Sequence, residues 1–178
     1  MSFFVKLGIL LAMIMASIVG TAQNATKKVY DMFEGKDGVS SMSLSKSAMS
    51  SYEMFLDDDT KDVLSKLTMF RFLNYDENDG QLTSQNVFDR IANEFNSSGY
   101  FTITSSEINC RGCKQQWNSS DALLWGRGSR SAMSEFHILL IDRSDCLLFS
   151  FFGNISIDDI NKCAQLSDKA QITINMNK

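Results

Sequence analysis

The sequence predicts an α+β domain, a two-layer sandwich in which helices cover one face of a mostly antiparallel sheet of five to seven strands. Its second half contains four apolar segments in succession, separated by short polar turns. Consecutive strands joined by tight turns pair antiparallel. Helical patterns stand before and after this run, which is typical of helices that pack together on one face of such a sheet.

The first part of the chain shows strand and helix patterns in turn. Residues 39–45 alternate between two faces, as in a short strand. Residues 46–56 repeat apolar side chains at helical spacing, and an acidic run then begins a second short helix over 60–66. Residues 67–75 read as a strand with apolar side chains on both faces, and 74–80 as a turn.

The clearest helical pattern begins at Thr83 or Ser84, either of which can serve as N-cap. Its apolar stripe consists of Val87, Phe88, Ile91, Ala92 and Phe95. The four predicted strands that follow are 100–107, 122–127, 135–142 and 146–152. Ser156 and Asp159 then have the spacing of a capping box, which predicts a last helix. An alternating pattern near the C-terminus predicts an edge strand with Ile172, Ile174 and Met176 on one face.

Residues 1–22 carry the features of an export signal. Lys6 is the only charge among the first 26 residues, and a mostly apolar, uncharged run follows over 7–19. Small residues near Ala22 fit the positions before a cut, which predicts cleavage between Ala22 and Gln23. A membrane anchor, which needs about 20 apolar residues, is the alternative. We expect an exported protein whose signal peptide engages the export machinery.

The chain divides into a signal peptide over 1–22, a lead-in segment over 23–38 and a single α+β domain over 39–178. Cleavage would leave about 156 residues, enough for one domain with a core of its own. The formal charge would change from −4 to −5, because Lys6 is lost. We expect no nucleic-acid partner, since phosphates require basic patches and the chain has no cluster of Lys and Arg.

Cys110 and Cys113 form a C-x-x-C pair. In an oxidising compartment we expect a local disulfide between them. A metal site would need further ligands such as Cys146, Cys163 or His137, and the spacing matches no zinc module. A thiol-redox role is the other alternative, although redox pairs of this kind stand at a helix N-terminus within a βαβ unit, and no such unit begins here. We expect no metal and no cofactor.

Two further features favour structural interpretations. The acidic run from Asp76 to Gly80 does not place its ligands and glycine in the register of an EF-hand, which favours a solvated turn. His137 is the only histidine and lies within an apolar strand, where a hydrogen-bonded structural residue is typical. A Ser-His-Asp triad would have to use it, and no G-x-S-x-G turn is present. We therefore predict no catalytic residues.

Three stretches carry a resemblance to a known family: 33–46, 134–141 and 148–160. They contain a strand, a charged turn, a second strand and a Gly-polar-Ile exit into a helix, and in this order they resemble the domain of unknown function 4252 family. The similarity covers roughly residues 28–168 and departs from the family at 108–121, where a charged hairpin is expected. The resemblance implies a small exported protein of the periplasm or cell envelope of a Gram-negative bacterium, with no established activity. It also implies a gene near regulators of envelope responses.

These observations favour a non-catalytic binding module of the cell envelope. Its partner would be another envelope protein, a peptide or a second copy of itself, and the alternative function is that of a periplasmic thiol-redox protein using Cys110 and Cys113. Several strands are apolar on both faces, so helices on one face would leave the other as an interaction surface, unless the lead-in segment or residues 108–121 cover it. The candidate surface residues are Phe70, Phe72, Leu139, Phe149, Phe151, Trp117 and Trp125.

Overall fold

The computed structural model describes residues 25–51, 57–104, 106–108 and 121–162. Within these ranges the helices are α1 (25–33), α2 (Lys46–Ser50), α3 (Asp58–Lys66), α4 (Ser84–Asn96) and α5 (157–162). The strands are β1 (Val39–Ser45), β2 (Leu67–Asp76), β3 (Phe101–Thr102), β4 (Ala122–Ser129), β5 (Ala132–Asp142) and β6 (Asp145–Ile155).

The six described strands form one sheet in the order β1-β2-β6-β5-β4-β3. Every neighbouring pair is antiparallel. β2, β6 and β5 occupy the centre, while β1 and the two-residue β3 form the edges. The prediction of a two-layer α+β sandwich with a mostly antiparallel sheet is confirmed.

Helix α4 packs on one face of this sheet. It begins where the Thr83 hydroxyl accepts a hydrogen bond from the N–H of Asn86, as the capping pattern predicts. The predicted apolar stripe of α4 is buried along its whole length. Beneath it lie the side chains of Leu73, Leu139 and Leu148, one from each central strand. This face therefore holds the main hydrophobic core.

Helix α1 lies beside α4 on the same face, within the segment that we predicted as a lead-in. Val29 and Tyr30 have no exposed surface, and Phe33 is 2% exposed. Together with Ala25 they occupy positions i, i+4, i+5 and i+8, which fall on one side of a helix. The core therefore extends further toward the N-terminus than the sequence analysis indicated.

A second hydrophobic cluster lies on the opposite face. Successive side chains of a strand point to opposite faces, so Phe70, Phe136 and Phe151 point away from α1 and α4. The other three helices contribute Met49 of α2, Leu64 of α3, and Ile157 and Ile160 of α5 to this cluster. Helices α1 and α4 thus cover the first face, and α2, α3 and α5 add partial cover to the second.

Strand β3 is shorter than the strand predicted over 100–107. Phe101 and Thr102 pair with β4, and one more backbone hydrogen bond, from the N–H of Ile103 to the carbonyl of Leu124 at 2.9 Å, ends the contact. The Glu107 carboxylate accepts hydrogen bonds from the backbone N–H of Thr104 at 2.9 Å and from its hydroxyl at 3.0 Å. In return, the N–H of Glu107 donates to the carbonyl of Thr104 at 2.9 Å. This turn bends the chain out of the sheet, and an alternation pattern does not reveal it.

The predicted capping box at the start of α5 is present. The Asp159 carboxylate accepts from the N–H of Ser156 at 2.9 Å, and the Ser156 hydroxyl accepts from the N–H of Asp159 at 3.1 Å. The predicted helix over 46–56 is described only as α2. Residues 52–56 and the predicted strand around Ile174 lie outside the described residues.

Candidate functional site

A cluster of polar side chains lies buried between the sheet and helices α1 and α4. At its centre is the Glu135 carboxylate of β5, which is 4% exposed as a residue. It accepts hydrogen bonds from the hydroxyls of Thr26 at 2.8 Å and Tyr100 at 2.7 Å. Arg127 Nη1 lies 2.9 Å from the other carboxylate oxygen. Helix α1, the residue before β3 and strand β4 thus supply the donors that a buried carboxylate requires.

His137 extends this cluster from β5 to β6. Its Nε2 lies 3.3 Å from Glu135 Oε2, and its Nδ1 lies 2.9 Å from Ser150 Oγ. The Tyr30 hydroxyl donates to Ser150 Oγ at 3.1 Å. A proton on Nε2 satisfies all of these contacts, because His137 then donates to Glu135 and accepts from Ser150. The result is one hydrogen-bonded chain from α1 through β6 to β5.

These residues connect serine, histidine and carboxylate in the order of a hydrolase triad, but the cluster is closed to solvent. His137 and Ser150 have no exposed surface. The Phe95 ring stacks on the imidazole with 4.5 Å between ring centroids. A nucleophile must reach its substrate, and Ser150 lies beneath the Tyr30 side chain instead. The cluster is a polar part of the core, in agreement with the expected structural role of His137.

Burial and hydrogen bonding set the charges in this cluster. Burial lowers the pKa of His137 more than Glu135 raises it, so the imidazole is neutral at pH 7. Burial by itself would raise the pKa of Glu135, but the hydrogen bonds from His137, Tyr100 and Thr26 outweigh it and hold that pKa below its usual value. The carboxylate is therefore ionised, with the Arg127 guanidinium as its counter-charge.

Four predicted surface residues share the second face of the sheet. Phe70 and Phe151 form one cross-strand pair with 5.2 Å between ring centroids, and Phe72 and Phe149 form another at 5.0 Å. All four are partly exposed. Phe70 and Phe151 pack against the second cluster, whereas Phe72 and Phe149 belong to neither hydrophobic cluster.

Leu139 and Trp125 do not belong to this surface. They lie in the main core on the opposite face, where they are 0% and 1% exposed. The alternation of β5 and β4 places their neighbours Ile138 and Leu124 on the second face instead. Because these strands are apolar on both faces, the sequence does not show which side chains point to which face. The places of Leu139 and Trp125 in the predicted surface are therefore corrected.

The remaining predicted site residues lie outside the described residues: Trp117, Cys110, Cys113, Ala22 and Gln23. The described Cys146 is a free thiol, and burial raises its pKa to about 12. Within the described ranges, no group of three or more His, Cys, Asp or Glu side chains could hold a metal ion. A search of the same residues finds no helix with the length and apolar character needed to cross a membrane.

Five large apolar side chains on the second face belong to neither hydrophobic cluster: Met42, Phe72, Leu140, Leu147 and Phe149. We call these five residues the apolar patch. They come from four adjacent strands, and the strand registers align Met42 with Phe72 and Phe72 with Phe149. Met42 is 46% exposed. Sequence reasoning selected the two phenylalanines but missed the other three, of which Met42 follows from the alternation of β1.

A cleft of about 510 Å³ lies on the first-face side, between the turn after α1 and the loop before α4. Its lining includes Lys36, Asp37 and Arg90. The Tyr75 hydroxyl holds the loop by bonding both the N–H and the carbonyl of Leu82, at 2.7 and 2.6 Å. Since two cations and one carboxylate line it, its charge selects no single class of ligand.

Residues 30–163 match the family model of the domain of unknown function DUF4252. The chain belongs to this family. No curated protein and no solved structure matches this DUF4252 member. The matched range begins within α1 and extends past α5, so it includes the whole second cluster and all of the main core except Ala25 and Val29. The earlier resemblance, drawn from β1 and from the β5–β6 hairpin, is confirmed.

Proposed function

We propose that this DUF4252 protein is an exported, non-catalytic binding module and that the apolar patch is its working surface. The supporting observation is the patch itself, in which side chains from four neighbouring strands form a continuous apolar area outside both clusters. Monomeric proteins rarely leave a large contiguous apolar area exposed unless it binds something. Export rests on the sequence features of residues 1–22.

The size of the patch favours a slender partner. Its outer strands, β1 and β5, are three strand spacings apart, which is about 14 Å. An α-helix with its side chains is about 10–12 Å wide. A domain-sized partner would bury about 800 Å² on each side, more than five side chains provide. The partner that fits is therefore an amphipathic helix or short peptide presented by an envelope protein.

The polar residues of the described chain give no competing catalytic site. The Glu135–His137–Ser150 cluster lies in the core, and its members are bonded to one another. The thiol-redox alternative depends on Cys110 and Cys113, and no observation among the described residues supports it. A binding role, in contrast, is supported by an accessible feature of the molecule, the apolar patch.

Site-specific photo-crosslinking tests this proposal. A crosslinking side chain in place of Leu147 should join the protein to one defined partner in the envelope fraction, identified by mass spectrometry. The same side chain in place of Asn93, on the exposed side of α4, is the matched control and should not capture it. Phe149→Glu should abolish the Leu147 crosslink while leaving the circular dichroism spectrum unchanged.

Two outcomes would contradict the proposal. Equal capture from Leu147 and Asn93 would mean that the crosslink reports random collision. A crosslink that persists in folded Phe149→Glu protein would mean that the apolar patch does not hold the partner.

A further inference from the structure

Strand β1 is an edge of the sheet that the described strands form, and part of its backbone faces away from β2. The N–H of Asp76 donates to the carbonyl of Gly38 at 2.8 Å, which identifies Gly38 and Asp76 as a hydrogen-bonded pair. Because such pairs alternate along antiparallel strands, the backbone groups of Ser41 and Ser43 point away from β2. Among the described residues, β2 is the only strand that pairs with β1. The N–H and carbonyl groups of Ser41 and Ser43 therefore form a template for another strand.

This edge lacks the devices that usually prevent strand addition. Natural edges are short, bulged, charged or interrupted by proline. β1 pairs with β2 over seven consecutive residues without a register shift, and it contains no charge and no proline. The opposite edge strand, β3, has only two residues. One edge is therefore protected by its shortness, while no strand within the described ranges pairs with the outer side of the other.

We propose that β1 pairs antiparallel with β1 of a second copy of this chain, about a twofold axis at Met42. This register brings Ser41 opposite Ser43 of the second copy, so that the outward backbone groups of both strands bond to each other. It pairs all seven residues of each strand, more than any shifted register allows. The two sheets then become one continuous sheet of twelve described strands.

Side-chain chemistry supports this register. Met42 is 46% exposed at the edge, and the pairing places it directly against Met42 of the second copy. Directly opposed side chains lie about 5 Å apart, close enough for apolar contact. At each end of the pair, Lys46 lies opposite Gly38 of the second copy, one residue from Asp37, so opposite charges meet at the same end of the interface. The Lys46 ammonium donates to the carbonyl of Ser65 at 3.0 Å, an uncharged partner that leaves its positive charge without neutralisation by that bond.

The pairing also joins the apolar patches of the two copies, because Met42 continues the row formed by Phe72 and Phe149. The inference rests on the β1 edge and stands whether or not the patch binds an envelope partner. Conversely, the photo-crosslinking at Leu147 does not depend on pairing at β1.

Substitutions of opposite charge at Met42 test the proposal on the processed protein purified from the envelope fraction. Sedimentation should give a dimer for the natural chain. Met42→Lys and Met42→Glu should each be monomeric, with association at least tenfold weaker, because like charges then oppose each other across the axis. An equimolar mixture of the two variants should regain the dimer mass. Only direct opposition of position 42 in two copies predicts this rescue.

Three results would overturn the proposal. The first is a natural protein that stays monomeric, including one whose Ser41 and Ser43 amides are protected from hydrogen exchange by another part of the same chain. The second is a dimer that survives both single substitutions, which would place the interface elsewhere. The third is a mixture of the two variants that remains monomeric.

Discussion

At the residue scale, the buried polar cluster separates what the sequence can reveal from what it cannot. A lone histidine in an apolar strand predicts a hydrogen-bonded structural residue, and His137 is one. Its neighbours could not be predicted in the same way. Thr26 and Glu135 are 109 positions apart, and Tyr100 and Glu135 are 35 apart. Such contacts exist only after α1 and α4 have docked on β5.

The neutral state of His137 makes stability depend on pH. The pKa of His137 is lowered in the folded protein, while an unfolded histidine has a pKa of about 6.5. Below that pH the unfolded chain binds a proton that the folded chain does not. The contribution of the neutral His137 to the free energy of unfolding is therefore complete above about pH 6.5 and decreases as the pH falls. The loss should approach, at most, about 1.4 kcal/mol per pH unit.

Urea unfolding between pH 5 and 7 measures this effect. His137 is the only histidine, and the carboxyl groups with lowered pKa values act mainly below this window. His137→Gln keeps a donor for Glu135 without a titrating ring, and it should remove the slope between about pH 5 and 6.5. An equal slope in both proteins would contradict a neutral buried His137.

At the element scale, the sequence predicts which helices and strands form better than it predicts where they begin and end. Each segment predicted as a helix or strand between residues 39 and 162 contains an element of the predicted type within the described ranges. β3 ended early because the side chain of Glu107 closes a local turn, a contact that periodicity does not encode. Helix α1 was missed although its apolar spacing is regular, because a polar segment directly after a predicted signal peptide resembles a lead-in. The spacing of Val29, Tyr30 and Phe33 was the signal that could have revealed it.

The alternation of β6 gives a paired prediction. Leu148 has no exposed surface and packs in the main core, whereas the adjacent Phe149 is partly exposed on the second face. Leu148→Glu buries an unpaired charge among apolar side chains and should prevent folding, since such a change costs several kcal/mol. Phe149→Glu should remain folded, with a native circular dichroism spectrum and a cooperative thermal transition. Loss of folding in both variants would mean that the second face is also internal core, and the apolar patch would lose its role as a surface.

At the scale of the whole molecule, the order of strands and helices in the sequence predicted the two-layer architecture. It did not predict which side chains on each face of the sheet are covered. Two faces with similar apolar content look alike in sequence, and separate sets of helices cover them. Which apolar residues stay outside both clusters depends on where helices α2, α3 and α5 end. The apolar patch is therefore a property of the assembled sheet rather than of any one strand.

The last prediction concerns the position of the cleavage site relative to the first residues of the core. Ala25 and Thr26 are only 2% and 3% exposed, and Thr26 donates to Glu135, so the core begins two residues beyond the predicted cut between Ala22 and Gln23. A cut further downstream would remove the Thr26 contact, and a retained signal would attach an apolar run directly to the core. Mass spectrometry of the envelope fraction should give a mature chain that begins at Gln23.

Ala22→Arg should block processing, because the position before the cut requires a small side chain. Asn24→Arg places the same charge beyond that position and should leave processing intact. Detection of intact Met1 in the natural protein, or of the protein in the cytoplasm, would refute the export proposal.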